Sequence, residues 1–146
     1  MSIEDKLAIH EAIAQYSYTY DGQDADGFAR LFVEDGVFEI LVPGRTDPAV
    51  RLQSSAAIRA WAARRLHERR GRFTSRHHQS GTLFDELTPE SARTRTMVLV
   101  THQGAADAAP QATLSGVYHD RWRRTPAGWR LAHRAAHVDR DAGFRE

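Results

Sequence analysis

Apolar residues recur at steps of three, four or their sums through Ile3, Leu7, Ile13, Tyr16 and Tyr20, behind a Ser2/Asp5 pair that resembles a capping box. The spacing predicts an amphipathic helix ending near Tyr20. Asp21-Gly22 breaks it, Asp24 caps a second short helix with the stripe Phe28, Leu31 and Phe32, and Glu34-Asp35-Gly36 predicts a turn. Val37 to Val42, β-branched and aromatic before Pro43-Gly44, reads as a strand, and Arg45 to Gln53 reads mostly as loop. Ser54 or Ser55 then caps a third helix, with Ile58, Trp61, Ala62 and Leu66 on one face, ending around Gly71.

After Gly71 the period changes to that of strands. Four segments rich in Thr, Val, aromatic residues and Arg are predicted at hairpin spacing: Phe73 to Phe84, Ala92 to Gln103, Ala112 to Thr125 and Trp129 to Val138. Their separators hold Pro89, Gly104 to Pro110, and Thr125-Pro126-Ala127-Gly128. Helices followed by an antiparallel meander give an α+β domain, and strands this long must curl, so helices on one face enclose a cone with a floor of side chains. Alternation places His102 on the same face as Thr94, Thr96, Val98 and Val100, with Arg93 and Arg95 on the other.

At 146 residues the chain fits one domain, 1–146, able to bury a core without staples. Its 41% hydrophobic and 27% charged residues belong to a globular class, and no run approaches the roughly 18 apolar residues of a membrane span. The acidic start Met1-Ser2-Ile3-Glu4-Asp5 lacks the basic and apolar regions of a secretory signal, so the cytoplasm is the expected location. Cysteine is absent, which removes thiolate nucleophiles and thiolate metal sites. A Schiff base would rest on Lys6, the single lysine. The densest basic patch, Arg59, Arg64, Arg65, Arg69, Arg70, Arg72 and Arg76, reads as the solvated face of a helix; no nucleic-acid motif accompanies it, and the net charge is +1.

Chemistry concentrates in Tyr20, Asp21, His77 and His102. A carboxylate beside an imidazole is the simplest device for removing a proton near neutrality: Asp21 would bind the Nδ1 proton of His77, fix its tautomer and stabilise the imidazolium. Tyr20 would donate to a developing enolate, Tyr16 and Tyr118 are further candidate donors, and His102 would serve the leaving group or hold Asp21. Each also has a plainer reading: Asp21 as a cap or turn residue, His77 as a satisfied strand histidine, His102 as a wet strand end, Tyr20 as packing. His133 and His137 share a strand face with His119 on the strand before, the one arrangement suggesting a metal, but without recognised metalloenzyme spacing. Phe28, Phe32, Phe38, Phe84, Trp122 and Trp129 read as core, with Trp61, Leu66 and Phe144 as lids of the pocket and Val98 in its lining.

The order of elements, the segment Tyr20-Asp21-Gly-Gln-Asp-Ala-Asp-Gly-Phe-Ala-Arg-Leu-Phe, the run Arg76-His77-His78-Gln79-Ser80-Gly81 and the closing Gly128-Trp129-Arg130-Leu131 together resemble the SnoaL-like branch of the NTF2-like superfamily. Within it the chain looks most like scytalone dehydratase and its relatives. The resemblance implies an NTF2-like, cystatin-like cone, a metal-free and cofactor-free site, a small hydrophobic or aromatic substrate, and a homo-oligomer, dimer or trimer. It carries a Tyr-Asp pair and two strand histidines onto Tyr20, Asp21, His77 and His102. It implies a lyase or isomerase, foremost a dehydratase acting on a small cyclic hydroxy-carbonyl compound. The same family offers polyketide-cyclase or aldol chemistry, dehydrohalogenation, and the non-catalytic role of a ligand-binding module or oxygenase subunit. There are departures: Gly116 and Tyr118 stand where scytalone dehydratase has serine and asparagine, and its second tyrosine has no counterpart among Phe38, Glu39, Ile40 and Leu41.

Overall fold

The computed structural model describes residues 2–146. Three helices, α1 (Ile3–Asp21), α2 (Ala25–Ala29) and α3 (Ser55–Arg69), accompany six strands: β1 (Phe32–Leu41), β2 (Val50–Gln53), β3 (Thr74–Leu87), β4 (Ser91–Gln103), β5 (Gln111–Thr125) and β6 (Gly128–Val138). The strands form one sheet in the order β2-β1-β6-β5-β4-β3, antiparallel except where β1 runs parallel to β6. Helices α1 and α3 cover its inner face, and this is the expected α+β architecture.

Helix α1 starts as its sequence dictates, with the Ser2 hydroxyl accepting from the Asp5 N–H at 3.1 Å. Its buried stripe differs from the predicted one: Ile9, Ala12, Ile13, Tyr16 and Tyr20 face the sheet, whereas Ile3 and Leu7 are exposed. Asp5 sets that rotation. Its carboxylate accepts from the Trp129 indole at 3.0 Å and pairs with Arg124, so the first turn presents an acid inward and turns its neighbouring apolar residues out.

Three loop expectations are corrected. Phe32 opens β1 instead of closing α2, which Asp24 caps through the Gly27 N–H at 2.8 Å. The turn at Glu34-Asp35-Gly36 is a bulge inside β1, where the β1–β6 register shifts between Phe32↔Leu131 and Val37↔His133. The stretch read as loop contains β2, whose Val50 and Leu52 alternate inward and are buried against β1. A four-residue edge strand carries too short a pattern to stand out in sequence.

The meander β3 to β6 matches its prediction, including a two-residue turn at Pro126-Ala127 closed by the Thr125↔Gly128 pair; Gly128 has φ of 104°, a conformation that favours glycine. On β4 the inner Thr94, Thr96, Val98 and Val100 are buried, while Arg93 and Arg95 lie outside and pair with Glu86 and Asp85. Among the described residues, no helix is long and apolar enough to cross a membrane.

Candidate active site

Strand β3 turns Ser75, His77 and Gln79 toward α1 by simple alternation, and all three are polar. Gln79 fastens the strand to the helix, donating from Nε2 to the Ile13 carbonyl at 2.9 Å and to the Ser17 hydroxyl at 2.7 Å. That clamp brings His77 against the last residue of α1. Asp21 holds it twice: one carboxylate oxygen lies 2.7 Å from His77 Nδ1, and the other accepts the His77 backbone N–H at 2.7 Å. The Ser75 hydroxyl adds a bond to Asp21 at 3.0 Å.

Burial alone would push the Asp21 carboxyl up, but the His77 ring, the His77 backbone and Ser75 together hold it below its ordinary value. The carboxylate is thus charged at neutral pH and accepts the Nδ1 proton, so that in the neutral form of the imidazole Nε2 carries the free lone pair. Asp21 does not cap α2, because Asp24 does. His78 points outward, bonded to Thr101 at 3.1 Å.

Tyr20 lies edge-on to His77, with ring centroids 5.1 Å apart, and its hydroxyl accepts from Arg69 Nη1 at 3.1 Å. Since that bond uses an oxygen lone pair, the Tyr20 O–H is left to donate. His102 stacks on Phe73 at 4.1 Å, its Nε2 is buried without a partner, and burial followed by the nearby Arg69 charge lowers its pKa. At neutral pH it is therefore uncharged.

These groups border a cavity of about 360 Å³, within the range of small-molecule sites. Tyr16, Tyr20, Trp61, His77, His102, Tyr118 and Phe144 all line it, as the sequence suggested. Two expected lining residues do not. Val98 is buried without lining it, and Val100, the next inward residue of β4, takes its place; Leu66 faces a separate outer cleft, which it shares with Tyr20, Arg69 and His77. Tyr16 and Tyr118 keep their protons, since burial raises the first well above the ordinary tyrosine value and pushes the second to about 12.

Sequence reading missed the support beneath these tyrosines. Arg134 of β6 is fully buried, its guanidinium carbon 4.1 Å from the Tyr16 ring centroid and 3.9 Å from that of Tyr118, and Asp120 of β5 grips it with two bonds of 2.8 Å. An arginine among several on neighbouring strands gave no signal of this. It also missed Arg65 and Arg69, read as part of a solvated face but lining the cavity. The available signal was their spacing: Trp61, Arg65 and Arg69 lie four apart, on one side of α3.

The departure at Gly116 has a steric cause. A Cβ there would stand 2.4 Å from the His137 carbonyl oxygen on β6, so the backbone has no room for the serine of scytalone dehydratase. The histidines His119 and His137 do approach, with ring centroids 4.2 Å apart, but no group of three or more potential metal ligands occurs among the described residues.

Comparison with known proteins places the fold. Residues 1–135 match the model of the SnoaL-like domain. No curated protein matches the chain. Among solved structures, a function-unknown protein from Mycobacterium tuberculosis is 30% identical over 93% of this chain and 72% of its own, with a TM-score of 0.76. ActVI-ORFA from Streptomyces coelicolor is 22% identical over 92% and 94%, at 0.79. A protein of Novosphingobium aromaticivorans provisionally named scytalone dehydratase is 21% identical over 99% and 97%, at 0.75; at such identity these last two establish the shared fold alone. With its family model covering nearly all of α1 through β6, the chain belongs to the SnoaL-like domain family of the NTF2-like fold.

Proposed function

We propose that this protein is a cofactor-independent lyase that removes a proton α to a carbonyl and expels water from a small cyclic or aromatic hydroxy-carbonyl compound. The family is one in which such cofactor-free enzymes, cyclases and dehydratases among them, are common. The observation that carries the reading is the pair of 2.7 Å bonds by which Asp21 fixes both the ring and the backbone of His77 at the wall of the cavity. A ligand-binding or structural module needs no such alignment.

In the proposed reaction His77 Nε2 takes the α proton, and the electron pair of that C–H bond moves to the carbonyl oxygen as an enolate. Asp21 stabilises the imidazolium as it forms. Tyr20 donates its O–H to the enolate oxygen while Arg69 bonds to the back of that hydroxyl, so that charge developing on the phenol is also met. The enolate then reforms the carbonyl and breaks the β C–O bond, and the proton held by His77 leaves with the hydroxide as water. His102, neutral and with an unpartnered Nε2, serves as a hydrogen-bond partner for the departing oxygen.

A suitable probe is 3-hydroxy-1-tetralone, whose dehydration gives fluorescent 1-naphthol. Purified protein should form naphthol from it and exchange its α proton with D₂O. Asp21→Asn and His77→Gln should each lower both rates by about 10²- to 10⁴-fold while leaving the far-UV spectrum unchanged. Neither exchange nor elimination across a panel of such hydroxy ketones, or full activity in Asp21→Asn, would remove the dyad from the reaction.

A further inference from the structure

Along one side of α3, Trp61, Arg65 and Arg69 follow at intervals of four residues, and all three line the cavity. Their hydrogen-bonding capacity is only partly used. Trp61 is 5% exposed and its Nε1–H has no partner, Arg65 Nε is buried and equally unpartnered, and Arg69 makes a single bond, to the Tyr20 hydroxyl. Neither arginine forms an ion pair with a carboxylate among the described residues. The two guanidinium groups lie against rings, Arg65 5.1 Å from Trp61 and Arg69 5.4 Å from Phe73, which orients them without neutralising them.

No aspartate or glutamate lines this space, and the acids beside it are already engaged, Asp21 by His77 and Ser75 and Asp120 by Arg134. Buried N–H groups without acceptors are costly, and this cationic, aromatic cavity has no carboxylate of its own to meet them. We propose that the molecule bound here carries a carboxylate, received by Arg65 and Arg69 with the Trp61 N–H, while its ring occupies the aromatic part of the cavity. This rests on reading the cavity as the substrate site and adds the chemical class of the substrate.

The test is binding, so that it stands apart from turnover. Titration calorimetry at about pH 8, where free histidine is neutral, compares 1-naphthoate with its uncharged isostere 1-naphthamide. The carboxylate should bind about 10- to 100-fold more tightly in the native chain. The double variant Arg65→Gln/Arg69→Gln should lose that preference while holding the amide within about twofold, the amide itself reporting an intact cavity. Asp21→Asn should retain the preference even if the dehydratase reading fails. Equal affinity for the two probes, no binding of naphthoate at millimolar concentration, or a preference that survives the double substitution would overturn the proposal.

Discussion

Asp120 meets Arg134 through two parallel bonds of 2.8 Å, and neither side chain has any exposure to solvent. The ion pair sits directly beneath Tyr16 and Tyr118, so it fixes the floor of the cavity as well as joining β5 to β6. A buried charge is tolerable only while paired. Asp120→Asn should therefore cost about 3–5 kcal/mol, and the double change Asp120→Leu/Arg134→Met should recover much of that loss by removing both charges together. Chemical denaturation of the two variants checks this. A double variant no more stable than the single one would show that packing against the tyrosines, rather than the unpaired charge, dominates.

Stability should fall in two steps as pH is lowered, and the groups responsible differ. His102, His133 and His137 have pKa values lowered first of all by burial, so the unfolded chain takes up protons from about pH 6.5 downward before the native chain does. Their contribution is intact above that pH and is lost below it. Asp5, lowered to about 2 chiefly by the Trp129 hydrogen bond, and Asp21, lowered as well, act in the second window: their stabilisation holds above about pH 4 and disappears as pH falls toward the native values. Thermal melts from pH 8 to pH 2 should show both declines. His102→Gln should flatten the first and Asp5→Asn the second; a single transition with no effect of either variant would refute the assignment.

What could be read in the sequence was whatever repeats or carries chemistry locally. The long strands, the turn at Pro126-Ala127 and the stripe of α3 announce themselves through periodicity, and Tyr20-Asp21 with His77 through residue type. The pairing of β1 with β6 is different, because it joins segments almost a hundred residues apart and leaves no local signature. The same holds for Asp5, whose inward role depends on Trp129 and Arg124 at the opposite end of the chain. Arg65 and Arg69 were misread for a related reason: charge composition suggests solvent, and only the neighbouring aromatic residues decide whether a guanidinium points into a cavity.

Gly116 marks where this chain leaves the dehydratase pattern, and the geometry explains why the residue cannot simply be restored. The atoms that an added Cβ would meet, the His137 carbonyl oxygen at 2.4 Å and the Val138 Cα at 3.0 Å, are backbone of the partner strand and cannot rotate away. Gly116 pairs with Val138 near the end of β6, beside the lining residues Ala136 and Val138 and two positions before Tyr118. Gly116→Ser should therefore separate β5 from β6 locally, destabilise the protein by about 1–3 kcal/mol and loosen the cavity floor. Amide hydrogen exchange should rise at Val117 and Asp139 together with the loss in melting temperature. If the serine instead proved neutral and its hydroxyl improved turnover, the sheet would be able to accommodate the dehydratase side chain, and the absence of serine here would no longer have a steric cause.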